Sequence, residues 1–177
     1  TPVNHLHPDQ EWYTTDVFTD YALHFMDESF KKHADQPLFL YLAYNAPHFP
    51  LHAREEDTKK YRGRFKDVGW DKLRRQRYER MVKLGLIDKK LKISAHSDEW
   101  EKAPNKEWDI RNMEVYAAMI DSLDENIGRV LDTLDATGHA DDTMILFTSD
   151  NGASWIGGVD LNFFDSSRVT MTSTIAS

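Results

Sequence analysis

Leu38-Phe39-Leu40-Tyr41-Leu42-Ala43-Tyr44 runs directly into Asn45-Ala46-Pro47-His48-Phe49-Pro50. The first seven residues form an unbroken apolar, aromatic-rich run too short for a free-standing helix, so they read as a strand buried on both faces. Pro47 and Pro50 then forbid helix and force a loop. A second stretch repeats the pattern, with Met144-Ile145-Leu146-Phe147-Thr148 leading into Ser149-Asp150-Asn151-Gly152. Open α/β sheets bind ligands beyond the carboxyl ends of their strands. Two such strands in one sheet would place His48 and the Asp150-Asn151 pair at the same edge.

The segment between them supports that topology. Ile110, Met113, Ala117, Ile120, Leu123, Ile127, Val130 and Leu134 recur at three- and four-residue steps, which predicts a helix over 107–136, with Gly138 as its stop. Strand, long helix and strand then form a right-handed crossover with parallel strands. The expected fold class is α/β, a largely parallel sheet flanked by helices. The long helix should lie on the sheet through Ile120, Leu123, Ile127 and Leu134, since its apolar stripe needs a broad partner.

On the N-terminal side, Thr14 or Thr15 can cap a helix over 16–33 whose inner face carries Phe18, Ala22, Phe25 and Met26. Lys31, Lys32 and His33 sit near the negative end of its dipole. The polar stretch 54–104 reads as an excursion. Helices are expected near 55–61 and 70–84, the second using Trp70, Leu73, Tyr78 and Met81 and ending at Gly85, and Ser94 to Asn105 reads as a surface loop.

Length and composition bound the function classes. The 177 residues are 40% hydrophobic and 29% charged, enough for one domain with a core and too apolar for a mostly disordered chain. No apolar stretch approaches the ~20 residues of a membrane span. With no cysteine, disulfides, thiolate metal sites and a cysteine nucleophile are excluded, while the compartment stays open. The opening Thr1-Pro2-Val3-Asn4-His5 reads as the interior of a longer protein.

Charge is unevenly spread along the chain. Residues 54–92 hold 15 Lys/Arg against 7 Asp/Glu, a net of +8, and the remainder holds 7 against 23, a net of −16. A basic stripe raises the question of nucleic acid, but no nucleic-acid-binding motif accompanies it. Arg74, Arg75, Arg77 and Arg80 are expected to solvate an exposed helix and pair with nearby acids, with attraction of a polyanionic substrate as the alternative.

The chemistry-bearing residues are few. Asp150 and Asn151 offer side-chain oxygens that suit a hard cation such as Ca²⁺ or Mg²⁺, and Gly152 lets the backbone turn beside them. Asp-Asn-Gly is also ordinary turn chemistry. His48, fixed between two prolines, can present a ring N–H to an anion, or be a solvated loop histidine. His52 lies four residues on, but Pro50 between them rules against a helical zinc pair.

Three separated segments carry a family resemblance: Phe39 through Pro47-His48 to His52-Ala53, Met113-Glu114-Val115-Tyr116-Ala117-Ala118-Met119-Ile120-Asp121, and Ile145 through Asp150-Asn151-Gly152. In order and spacing the chain resembles the type I, arylsulfatase-like sulfatases of the alkaline phosphatase superfamily over residues 12–154. The resemblance implies an alkaline-phosphatase-like α/β fold, hydrolysis of sulfate esters, and a calcium ion held partly by Asp150 and Asn151. It also implies that His48 contacts the substrate sulfate. A sulfated small molecule or carbohydrate would be the substrate, with no nucleic acid and no membrane span, and a periplasmic or secreted location is suspected from the family alone. The oligomeric state is not legible.

Several family elements have no counterpart in this chain. The nucleophile of such enzymes is a formylglycine made from Cys or Ser in a Cys/Ser-x-Pro-x-Arg motif, and neither a cysteine nor Ser-x-Pro-x-Arg occurs here. The family's N-terminal Asp-Asp ligands and its Lys-x-His element are not matched in place either, and the later sulfate-contacting lysine has no assigned position in this chain. Residues 1–154 therefore read as a partial catalytic domain that is inactive alone, and 155–177 as a divergent or truncated tail. The alternatives are a phosphatase or phosphodiesterase of the same superfamily and a non-catalytic anion-binding protein. Asn151 favours the sulfatase, since the phospho-enzymes more usually carry histidine after that aspartate.

Overall fold

A computed structural model describes residues 12–93 and 100–152. Four helices follow one another: α1 (Thr14–Lys32), α2 (Glu55–Lys59), α3 (Gly69–Lys83) and α4 (Lys106–Ala136), with short 3₁₀ turns at Trp100–Lys102 and Ala140–Asp142. The body is α4 with α1 and α2 packed along it.

α1 begins two residues earlier than its apolar pattern suggests, and neither threonine caps it. The cap position falls on Tyr13, with Val17 N–H bonding to the Tyr13 carbonyl. Thr15 is instead buried within the helix, beside Val17, Thr19, Tyr21, Ala22 and Met26. Phe25, expected on the inner face, is exposed. Lys31 and Lys32 pair with Asp27 and Glu28 one turn back.

The stop signals act as expected. Gly85 after α3 and Gly138 after α4 both take positive φ, +72° and +75°. Beyond them, Leu86 N–H reaches the Met81 carbonyl and His139 N–H the Leu134 carbonyl, the six-to-one bond that satisfies a helix's last carbonyls. At the other end of α4, Asn105 Oδ1 accepts from Trp108 N–H at 3.1 Å.

α3 packs against the 3₁₀ turn at Trp100. The Trp70 and Trp100 rings meet edge-on at 4.8 Å, and Trp100 N–H donates to Asp71 Oδ2 at 3.0 Å. Trp100 is thus buried, where a surface loop was expected; residues 94–99 of that loop lie outside the described residues. Leu73 faces outward.

The described residues do not show the expected sheet. No strand occurs among the described residues, and 38–44 and 143–149 carry no regular secondary structure and no ladder hydrogen bonds. Phe39 is 90% exposed and Leu146 85%. A strand has no internal hydrogen bonds, so an apolar run becomes a sheet only where neighbours supply both its backbone partners and its cover.

α4 shows the same gap from the other side. Its buried face is Val115, Ala118, Met119, Ser122 and Asn126, which meets α1 and α2. The expected sheet-facing stripe is only half covered, with Ile120 40% exposed and Leu134 alone of its four residues buried. Small and polar side chains allow close helix approach.

Candidate functional site

His48 stands exposed at the tip of a loop whose two ends are fastened to the helical body. At the entrance, the Tyr44 hydroxyl lies 2.7 Å from Thr19 Oγ1. Thr19 commits its one proton to the Thr15 carbonyl, so Tyr44 donates. Thr14 donates to Asn45 Oδ1 at 3.2 Å.

The exit is held more deeply. Ala53 is 4% exposed, in one apolar cluster with Val115, Ala118 and Met119, and Ala46 and Leu51 pack against it. His52 N–H donates to Met119 Sδ at 3.3 Å, and the Tyr13 hydroxyl donates to the His52 carbonyl at 3.4 Å. Tyr13 and His52 rings meet edge-on, so His52 belongs to the fastening of the loop. Between these anchors, His48 N–H donates to the Asn45 carbonyl at 2.8 Å and closes a tight turn that includes the cis Ala46-Pro47 bond.

The His48 ring is itself oriented. Nδ1 bonds to the Phe49 carbonyl, and because a carbonyl only accepts, Nδ1 carries a proton. Nε2 is then the ring atom free for a ligand, and it donates to an anion in the imidazolium form.

A polar network that sequence reasoning missed braces this loop from below. Arg54 donates through Nη1 to Asp16 Oδ2 at 2.6 Å and through Nε to Asp57 Oδ2 at 2.9 Å, while Asn126 Nδ2 donates to Asp16 Oδ1 at 2.7 Å. The Arg54 guanidinium also lies over the Tyr13 ring. Burial disfavours its charge, yet the bonds to Asp57 and the charge of Asp16 raise its pKa above the ordinary value. Burial pushes the Tyr13 and Tyr44 phenols upward. Asp16 and Asn126 are far apart in sequence, so no local pattern pairs them. The spacing of Arg54 and Asp57, three apart on a short helix, was the available signal.

The basic stripe divides. Its first part is paired, Lys60 with Asp57, Asp121 and Glu125 and Arg62 with Glu55, and hydrogen bonds to Asp121 and Glu125 raise the Lys60 pKa. Arg75, Arg77 and Arg80 on α3 are exposed.

Asp150 and Asn151 lie in an exposed turn after 143–149. Asp150 accepts from Asn151 N–H at 2.9 Å and from Asn151 Nδ2 at 3.1 Å, and Gly152 N–H donates to Ser149 Oγ at 3.0 Å. Among the described residues, no cluster of three or more His, Cys, Asp or Glu is placed to hold a metal ion. The Asp150 carboxylate and the Asn151 amide oxygen are hard donors of the kind Ca²⁺ takes, but two fall short of the ~6–8 it prefers. No hydrogen bond or ion pair joins His48 to Asp150 or Asn151. The shared edge expected for them depended on the sheet.

Comparison with known proteins decides what the loop belongs to. The sulfatase family model matches residues 2–166. The chain belongs to the sulfatase family. An uncharacterized sulfatase of Schizosaccharomyces pombe is 39% identical over 151 residues, covering 81% of this sulfatase chain and 26% of that protein. An arylsulfatase of Klebsiella aerogenes is 38% identical over 124 residues, 68% of this chain and 26% of the relative. A multifunctional alkaline phosphatase superfamily protein of Trinickia caryophylli is 31% identical over 147 residues, 81% of this chain and 28% of its own length. The chain spans about a quarter of the length of these curated relatives. Among its described residues, no helix is long and apolar enough to cross a membrane.

Proposed function

We propose that this chain is part of the catalytic domain of a sulfuric ester hydrolase, and that His48 contacts the sulfate of a small-molecule or carbohydrate sulfate ester. The observation that carries the reading is the fastened loop. Its apolar and polar anchors lie on both sides of His48, while His48 stays exposed with Nδ1 engaged and Nε2 open.

Asp150 and Asn151 would hold a calcium ion in company with ligands from outside this chain, and the chemistry a bound ion supplies is neutralisation of charge on the sulfate oxygens. His48 adds a directed hydrogen bond to the same charge, aimed from a loop that does not have to reorganise. The exposed apolar runs 38–44 and 143–149 and the half-covered stripe of α4 support completion of a parallel sheet in the longer protein, which would bring the two turns to one edge. The chain supplies no formylglycine precursor, so turnover by that route needs residues beyond these.

A paired assay tests the reading. The 177-residue chain should leave an aryl sulfate untouched, and a longer protein that contains it together with a Cys/Ser-x-Pro-x-Arg motif should hydrolyse it in preference to an aryl phosphate. His48→Ala in the longer protein should lower kcat/KM about a hundredfold, or ~3 kcal/mol of transition-state stabilisation. An undiminished variant would remove His48 from the site, and preference for the phosphate ester would move the chain to the phosphatase reading.

A further inference from the structure

We infer that Thr14 and Asn45 form a positioning device that holds the His48 ring with Nδ1 on the Phe49 carbonyl and Nε2 toward the ligand; its functional meaning rests on the reading of His48 as the sulfate contact. Thr14 lies in the first turn of α1, and its hydroxyl donates to Asn45 Oδ1 at 3.2 Å. Asn45 in turn presents its carbonyl to His48 N–H at 2.8 Å. One residue thus joins the helix to the turn that carries the histidine.

The exit of the loop is fixed independently by Ala53 in the α4 cluster and by His52 N–H on Met119 Sδ. With the exit held and Ala46 packed against the same cluster, the remaining freedom of the turn lies at the entrance, where Asn45 acts beside the Tyr44 hydroxyl on Thr19. If Asn45 swings, the turn opens and the Phe49 carbonyl no longer sits beside Nδ1. Which ring nitrogen of the neutral imidazole carries the proton reports that bond, and its loss lets the ring turn, so the Nε2–H of the imidazolium is no longer aimed at the ligand. Thr14 bonds to the Asn45 side chain and not to the His48 ring, so it acts through Asn45.

The test is nitrogen-15 spectroscopy of the His48 ring in the 177-residue chain, together with titration by inorganic sulfate. The unaltered chain should show Nδ1 as the protonated nitrogen and Nε2 as the lone-pair nitrogen of the neutral ring. Thr14→Val and Asn45→Ala should each shift the neutral ring to an average of both tautomers and, at a pH low enough to form the imidazolium whose Nε2–H meets the anion, weaken sulfate binding about three- to tenfold, the scale of one hydrogen bond. Thr14→Ser, which keeps the hydroxyl, should restore both signals. Far-UV circular dichroism and Tm verify that α1 persists; if one variant unfolds, the other supplies the comparison.

An unchanged tautomer pattern in a folded Thr14→Val or Asn45→Ala chain overturns the device, as does failure of Thr14→Ser to rescue. Sulfate affinity unchanged in His48→Ala would overturn the reading of His48 as the contact instead. The ring spectra would still decide the positioning claim.

Discussion

Ala53 and Phe39 flank the same histidine loop, yet Ala53 is 4% exposed and Phe39 90%. Residues 51–54 meet α4, a helix that completes its own backbone hydrogen bonds and needs only a side-chain partner. Residues 38–44 need backbone partners as well, and none are in place among the described residues. The contrast teaches that helical packing is satisfied within the described residues, whereas the apolar runs would form strands only with backbone partners beside them.

The hardest blow to the well-fastened side should be Arg54→Ala, which leaves Asp57, buried at 3% exposure, without its main cation. A loss of ~3 kcal/mol is expected in denaturant unfolding, moderated by Lys60, which stands 3.3 Å from the same carboxylate. A loss under ~0.5 kcal/mol would show that the network is a surface feature.

Met119→Ala comes next. It removes the side chain that both fills the cluster with Ala53 and accepts from His52 N–H, so a cost of about 2–3 kcal/mol is expected from the same unfolding measurement. Hydrogen exchange at His52 should quicken beyond the global change; if it does not, the sulfur contact is incidental.

A milder effect should appear in alkali. Burial holds the Tyr13 and Tyr44 phenols protonated above their ordinary value of 10.0. The unfolded chain therefore loses those protons first, so their contribution is fully present below pH 10.0 and is lost as the pH rises through the folded values. Stability measured across that window should decline, and Tyr13→Phe should flatten the slope. An unaltered slope would mean that other groups drive it.

The smallest effect sharpens the comparison from the exposed side. Phe39→Asp and Leu146→Asp should each change the stability of this chain by less than ~0.5 kcal/mol, as surface substitutions do. In a longer protein with the sheet complete, the same changes should prevent soluble folding. Equal costs in the two settings would disprove the missing-partner account.

Local signals were legible wherever the physics is local. The three- and four-residue periodicity located α4 to within a residue, Gly85 and Gly138 marked helix ends through the conformations they alone adopt freely, and the three separated motifs pointed to the family that the comparisons show. Less visible was which face of α4 is buried. Its bulky stripe suggested the core, but the small and polar face of Ala118, Ser122 and Asn126 meets α1 and α2, because close helix approach selects size and hydrogen bonding as well as apolarity.

By itself the sequence determined where the helices run, the glycine stops of α3 and α4, the lack of cysteine in this chain and the candidate residues His48, Asp150 and Asn151. Only the tertiary structure decided how His48 is presented. The fastening depends on Thr14 meeting Asn45, on Arg54 joining Asp16 and Asp57, and on Ala53 entering the α4 cluster, contacts between residues remote in the chain. Helix signals are written within a few residues because a helix bonds to itself. A presented side chain is held by whatever the fold brings beside it, and that is a property of three-dimensional neighbours.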